Sequence, residues 1–355
     1  MDTLHPTRYW RRLDDGRVEC TLCPRLCQLR DGKRGVCYMR QAREGEIVLT
    51  HWGETSGFCI DPIEKKPLYH YLPGSATLSF GTLGCNLTCH YCQNWSISKS
   101  REDERLNERT TPAQIADLAL HHGCRSVAFT YNDPVISLEF ALEVAKACHD
   151  RGIKAVAVSA GYVNPKPALE LFGAMDAANI DLKGFSDDFY HGLCGGALTP
   201  VLECLKLIRH QTHCWLEITT LVIPGHNDDD ATLSALSQWI ARELGADTPL
   251  HFTAFHPDFH LTEPAVTPME TLQRARERAL ANGLHHVYTG NIPNSASEST
   301  YCSGCGALLI ERSGYRLGQW RLSEGRCVHC HRALCGHFEP YPEAWGPKRL
   351  RVNPE

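Results

Sequence analysis

Short apolar runs alternate with amphipathic stretches from Ala76 to about Thr289, and this alternation is the dominant pattern of the chain. The runs have the length and the continuous apolar character of parallel strands that are buried on both faces. Six of them are predicted strands, at residues 76–82, 126–130, 154–159, 177–182, 215–222 and 251–255. A seventh run, at residues 286–288, fits a further strand of the same kind.

The stretches between these runs carry apolar residues at helical spacing. Thr111, followed by Pro112 and Gln114, is typical of a capped helix start. Strands that alternate with helices imply right-handed crossovers and a parallel sheet. We therefore predict an α/β fold, a partial (β/α)6 barrel of the TIM type, in which the chemistry collects at the carboxyl ends of the strands.

Two cysteine-rich segments flank this barrel, which divides the chain into three predicted parts. Residues 1–75 form a small, loop-rich module with a connector, residues 76–295 form the barrel, and residues 296–355 form a further small module. In the last part, two cysteine pairs are separated by a strand, turn and strand pattern. That arrangement is typical of a zinc ribbon.

Composition narrows the classes of function. The chain has 355 residues and a net charge of −5, which argues against general binding to nucleic acid or to an anionic membrane. The sequence has no run near the ~20 apolar residues of a spanning helix and no apolar leader, so we expect a cytoplasmic protein. Its 18 cysteines are therefore better interpreted as metal ligands than as disulfides.

Eleven of the cysteines fall into three groups, which are Cys20, Cys23, Cys27 and Cys37, then Cys85, Cys89 and Cys92, then Cys302, Cys305, Cys327 and Cys330. The middle group offers three thiols on one loop after the first strand, which suits three corners of a [4Fe–4S] cluster with one iron left open. A zinc site normally requires a fourth ligand. The first group closes a site for zinc or for an auxiliary cluster, and spacing does not separate the two. The last group indicates structural zinc, with partner docking or a rubredoxin-like iron site as the alternative.

Polar residues also follow several of the other predicted strands. The candidates are Asn132 and Asp133, Ser159, Asp181 and Lys183, and His256. Asp181 and Lys183 are two positions apart, so both side chains should point to the same side of their strand. Because these strand ends meet at one face of a barrel, we expect the residues to surround a common site.

The segment from Gly84 to Trp95, with Tyr91 just before the last cysteine, resembles the signature of radical S-adenosylmethionine (SAM) enzymes. Across nearly its whole length the chain resembles the pyruvate formate-lyase-activating group, and most closely the radical SAM component of the AmmeMemoRadiSam system. The resemblance implies that Cys85, Cys89 and Cys92 ligate the cluster and that Tyr91 contacts the adenine of SAM.

The same resemblance assigns roles to the strand-end residues. Asn132 and Asp133 stand where the family keeps a Gly-Gly-Glu-like segment for the SAM ammonium group. Asp181 and Lys183 resemble residues that bind the SAM carboxylate or ribose, and His256 resembles a histidine near the ribose. A helix-cap role for Asp181, or its ion pairing with Lys183 without a ligand, is the alternative.

These observations predict an enzyme that reductively cleaves SAM at a [4Fe–4S] cluster to a 5′-deoxyadenosyl radical, which abstracts hydrogen from a substrate. The substrate, a protein or a small molecule, is left open. The alternatives are an activase of a glycyl-radical enzyme and a non-catalytic zinc-binding scaffold. The implied partner is an external electron donor of the flavodoxin or ferredoxin type, and no membrane or nucleic acid is expected.

Overall fold

A largely parallel sheet forms the centre of the molecule. The computed structural model describes residues 4–99, 108–292 and 295–353. Seven parallel strands follow one another in chain order: β8 (Ala76–Gly81), β10 (Ser126–Phe129), β11 (Lys154–Ser159), β12 (Ala177–Asp181), β13 (Trp215–Val222), β14 (Leu250–Ala254) and β15 (Val287–Gly290). The six predicted strands are confirmed, and the seventh run is also a strand.

The sheet continues beyond the first parallel strand. Strand β7 (Glu54–Pro62) pairs antiparallel with β8, and β21 (Leu350–Arg351) and β9 (Glu108–Arg109) pair with β7. The α/β class and the parallel sheet are confirmed. Within the described residues the pairing order runs from β15 to β21 without joining its two ends, so the curvature into a partial barrel stays a prediction.

Helices connect the parallel strands, as the alternating pattern predicts. They are α1 (Trp95–Ser98), α2 (Pro112–His121), α3 (Leu138–His149), α4 (Pro165–Gly173), α5 (Asp187–Phe189), α6 (Leu198–Gln211), α7 (Asp230–Glu243), α8 (Met269–Ala281) and α9 (Ser295–Glu298). Thr111 caps α2 and forms a capping box with Gln114, as its sequence predicts. Within the described ranges, every helix is too short or too polar to cross a lipid bilayer.

The N-terminal residues form two small antiparallel sheets that pack on the main sheet. The strands are β1 (His5–Pro6), β2 (Trp10–Arg12), β3 (Val18–Cys20), β4 (Gln28–Leu29), β5 (Arg40–Arg43) and β6 (Glu46–Leu49). Their apolar side chains, such as Ile47 and Leu49, share one hydrophobic core with Leu78 and Phe80 of β8. The boundary at residue 75 stays a prediction, and strand β7 already belongs to the main sheet.

The C-terminal residues form a small β module with its own apolar cluster. Its strands are β16 (Thr300–Tyr301), β17 (Leu308–Ser313), β18 (Arg316–Trp320), β19 (Leu322–Ser323) and β20 (Arg326–Cys327). The predicted hairpin between the cysteine pairs corresponds to β17 and β18. Buried Arg312 joins this module to the rest of the chain, because its guanidinium donates to the carbonyl of Tyr69 at 2.7 Å.

Candidate active site

A cavity of about 240 Å³ lies at the carboxyl end of the parallel sheet, and the loop that follows β8 forms one side of it. The sulfurs of this loop belong to Cys85, Cys89 and Cys92, all of which line the cavity. Cys89 is buried and the other two are half-buried. Three thiols around one cavity fit the donor set that a [4Fe–4S] cluster with an open iron requires.

Backbone contacts hold the cysteine loop in place. The amide of Thr88 donates to the carbonyl of Cys194 at 2.9 Å, and that of His90 donates to the carbonyl of Leu193 at the same distance. The Nζ atom of Lys99 donates to the carbonyl of Leu87 at 2.8 Å. The loop is therefore fixed on both sides before any ligand binds.

Asn132 lines the cavity, but its amide group is used to hold the cysteine loop. Its Oδ1 atom accepts from the amide of Thr82 at 3.0 Å. Its Nδ2 atom donates to the Thr82 hydroxyl at 2.8 Å and to the carbonyl of Gly84 at 2.9 Å. These contacts make Asn132 a positioning residue, and its predicted binding of the SAM ammonium group stays a prediction.

Asp133 and Ser159 interact directly beneath the cavity. The Asp133 carboxylate accepts from the Ser159 hydroxyl and the Ala160 amide, both at 2.9 Å, and from the Val135 amide at 3.1 Å. Burial raises the pKa of Asp133, and these three donors oppose the shift only in part. The pair ties the end of β10 to the end of β11, so both residues shape the cavity wall.

Asp181 and Lys183 lie on the same side of the chain at the end of β12, as the two-residue spacing predicts. Their Oδ2 and Nζ atoms are 2.9 Å apart, and both residues line the cavity. Burial alone would lower the pKa of Lys183, but the Asp181 carboxylate and the thiols of Cys89 and Cys194 raise it well above its ordinary value. Lys183 is the single lysine or arginine in the described lining, so it supplies the positive charge of the cavity.

Of the two remaining predicted contact residues, Tyr91 lines the cavity and His256 does not. Tyr91 is buried and lines the cavity, with its hydroxyl 3.1 Å from the sulfur of Cys194. His256 is exposed and does not line the cavity. Strand β14 reaches the cavity through Thr253 instead. The structure thus brings together all of the predicted residues at this site except His256.

Several lining residues were not predicted, and the most informative lie on the last three strands. Thr219 and Leu221 come from β13, and Asn291 follows β15. The hydroxyl of Thr219 is buried without a partner among the described residues. Period-2 spacing along residues 215–222 would have indicated that Thr219 and Leu221 share a face.

The two cysteine quartets differ in geometry. Sulfurs of the C-terminal quartet converge, with 3.5 Å between Cys302 and Cys330 and 3.8 Å between Cys305 and Cys327. Burial raises the pKa of Cys302, but the amides of Cys305 and Gly304 outweigh it and lower the pKa to about 7. This group could bind a second metal. Cys20, Cys23, Cys27 and Cys37 surround a separate small cavity.

Comparison with known proteins agrees with this geometry. The uncharacterized protein MJ0808 of Methanocaldococcus jannaschii is 40% identical over 304 residues, which span 86% of this chain and 90% of that protein. The pyruvate formate-lyase-activating enzyme of Staphylococcus epidermidis is 28% identical over 240 residues, spanning 62% of this chain and 92% of the enzyme. A radical SAM methyltransferase from Sphaerobacter thermophilus has a similar fold, with a TM-score of 0.51, 14% identity, and coverage of 87% of this chain and 82% of that chain.

The family assignment follows from one further match. The model of the Radical SAM superfamily matches residues 80–235, which include the cysteine loop and strands β10 to β13. Members of this superfamily are enzymes, and membership implies SAM and a [4Fe–4S] cluster as cofactors. The zinc-scaffold alternative is therefore wrong. This chain belongs to the Radical SAM superfamily.

Proposed function

We propose that this enzyme reductively cleaves SAM and uses the 5′-deoxyadenosyl radical to abstract hydrogen from a substrate. The observation that supports it most strongly is the convergence of three cysteines with Asp181 and Lys183 on one cavity. Cys85, Cys89 and Cys92 would hold the [4Fe–4S] cluster. When bound, that cluster supplies the electron for SAM cleavage and an open iron for the amino and carboxylate groups of SAM.

The other lining residues would bind and orient SAM. Lys183 would bind the carboxylate as a charge-assisted donor, and Asp181 keeps the Lys183 side chain in place through their 2.9 Å contact. The Asp181 carboxylate also lines the cavity and would accept hydrogen bonds from SAM hydroxyl or amino groups. Leu87, Val158 and Leu221 would cover the apolar surface of the ligand and exclude water.

A neighbouring cavity of about 560 Å³ is the proposed place for the substrate. It shares Thr253 and Asn291 with the first cavity, so the two spaces are adjacent. It is also lined by Gly314 and Tyr315, in the turn of the C-terminal hairpin, and by His251. A substrate here would present its C–H bond near the adenosyl group, which is the positioning that hydrogen abstraction needs.

A glycyl-radical activase is the second candidate function. It is favoured by the similarity to the pyruvate formate-lyase-activating enzyme, of which the match spans 92%. In that case the substrate is a glycine on a partner protein. We also propose that the chain is related most closely to the AmmeMemoRadiSam component. Its electron donor would be of the flavodoxin or ferredoxin type, and its location would be cytoplasmic. These points apply to both candidate functions.

The open iron gives a direct test of the proposed site. The protein is purified without oxygen, reconstituted with iron and sulfide, reduced with dithionite, and its electron paramagnetic resonance (EPR) spectrum is recorded with and without SAM. We expect SAM to change the cluster signal in the unaltered protein and in Cys148→Ala, since Cys148 lies in α3 away from the cavity. A signal that SAM leaves unchanged would refute the proposed binding mode.

A further inference from the structure

The four N-terminal cysteines are spread more widely than the four C-terminal ones. Across residues 4–99, 108–292 and 295–353, only the C-terminal quartet brings three or more potential ligand atoms within 4.8 Å of one another. No three sulfurs from Cys20, Cys23, Cys27 and Cys37 approach this closely. Cys85, Cys89 and Cys92 are spread in the same way.

This difference in spacing distinguishes a zinc site from an iron–sulfur site. A zinc ion binds four thiolates at about 2.3 Å, so neighbouring sulfurs in a tetrahedral site lie roughly 3.8 Å apart. The C-terminal pairs, at 3.5 and 3.8 Å, match that value. In a [4Fe–4S] cluster each thiolate binds a different iron, and its sulfurs must lie farther apart.

The space between the N-terminal sulfurs is a real cavity. Its volume is about 20 Å³, and the four cysteines line it together with Leu22, Leu29 and Ile136. A cavity needs roughly 10–15 Å³ on this measure to accept one water. A tetrahedral zinc site would draw the sulfurs together and leave no such space, whereas a cluster would occupy it.

The surroundings also suit a group with net negative charge. Arg25 and Arg40 both line the cavity. The Arg40 side chain is 1% exposed, and its Nε atom donates to the carbonyl of Ile136 at 3.2 Å. Four thiolates around a cluster keep negative charge in a partly buried place, and the Arg25 guanidinium at its edge offsets part of that charge. Arg40 contributes less, because the buried Glu139 carboxylate pairs with it.

We propose that Cys20, Cys23, Cys27 and Cys37 hold a second [4Fe–4S] cluster. With four protein thiolates, every iron of this cluster has a protein ligand and none is open to SAM. The quartet itself packs against the loop that would hold the first cluster, since a Cβ atom at Gly84 would come within 2.0 Å of the Cys37 carbonyl oxygen. This assignment is independent of the substrate and of SAM cleavage.

The experiment removes the first cluster and asks what remains. The triple variant Cys85→Ala, Cys89→Ala, Cys92→Ala is expressed with both metals supplied, purified without oxygen and reconstituted with iron and sulfide. We expect about four iron atoms, about four sulfides and about one zinc per chain. After dithionite reduction, its EPR signal should not change on addition of SAM, because no iron is open.

A further variant shows where the remaining iron is bound. Adding Cys23→Ala to the triple variant should lower iron at least fourfold, whereas adding Cys148→Ala should leave it unchanged. If the Cys23→Ala protein does not fold, the metal content of the triple variant still tests whether a second cluster is present. A triple variant with background iron and about two zinc ions per chain would overturn the proposal, as would iron that Cys23→Ala does not affect.

Discussion

The Nζ atom of Lys183 lies 2.9 Å from the Oδ2 atom of Asp181 at the end of the fourth parallel strand, inside the cavity that contains the three-cysteine loop. A charge-assisted hydrogen bond to a ligand contributes about 1.5–3 kcal/mol. Lys183→Ala should therefore weaken SAM binding by about tenfold to a hundredfold, measured by titration of the EPR signal. Lys206→Ala, on the exposed side of α6, is the control. Equal affinity for SAM in both variants would show that Lys183 does not bind SAM.

Gly84 should tolerate no side chain, because it packs against the backbone of the N-terminal quartet. Its φ is 76°, and an added Cβ atom would lie 2.0 Å from the Cys37 carbonyl oxygen. Gly123 provides a matched control, since its φ is 66° and nothing lies within 4 Å of an added Cβ atom.

Both glycine variants should lose about 1–2 kcal/mol of unfolding free energy, because each places an alanine in the left-handed region. Gly84→Ala should lose at least about 2 kcal/mol more, because the clash adds an overpacking cost. It should also hold less iron than Gly123→Ala after reconstitution. Urea unfolding and iron analysis measure the two effects, and identical behaviour of the two variants would contradict the close packing described here.

Two buried histidines should make the fold sensitive to acid. Burial lowers the pKa of His70 to about 3 and that of His286 to about 4, and their rings lie 4.6 Å apart. Their unfolded pKa is near 6.5, so below that pH the unfolded chain binds protons that the folded chain does not. Stability should therefore fall as pH drops from about 6.5 to 4, by up to about 1.4 kcal/mol per pH unit for each histidine.

Urea midpoints between pH 7 and pH 5 measure this loss. His70→Gln should be less stable at pH 7, because it loses the 2.6 Å contact with the Tyr288 hydroxyl, but its stability should depend less steeply on pH. His121→Gln changes an exposed residue of α2 and should keep the original slope. An unchanged slope in His70→Gln would show that this histidine does not carry the effect.

We predict that the C-terminal quartet binds a zinc ion and that this ion holds the module together. Cys327→Ser removes a buried ligand of the convergent quartet and should lose about one zinc ion per chain, since a structural site needs all four ligands. Limited proteolysis should then cut faster after residue 295, while iron content stays the same. Cys335→Ser changes an exposed cysteine outside the quartet and should retain zinc. Full zinc content in Cys327→Ser would place the metal elsewhere.

The sequence predicts the parallel strands well, because strands that are buried on both faces must be continuously apolar. It also predicts the Asp181 and Lys183 pair, because side chains two positions apart on a strand point to the same side. It does not predict the contacts of Asn132, whose partner Thr82 lies 50 residues away in the chain. Strand β7 is not predicted either, because its apolar run is only three residues long, Phe58 to Ile60, and a bulge after Ser56 interrupts its pairing with β8. His256 lies beyond the end of β14, where the exposed chain no longer follows the strand.

The most direct test of the account is SAM cleavage by the reduced enzyme. Reconstituted protein is incubated with dithionite and SAM without oxygen, and 5′-deoxyadenosine is quantified by liquid chromatography. We expect product from the unaltered protein and from Cys148→Ala, and none above background from Cys89→Ala, whose sulfur is a proposed cluster ligand. Product formation that survives Cys89→Ala, or its absence from the unaltered protein with a full complement of iron, would contradict the account.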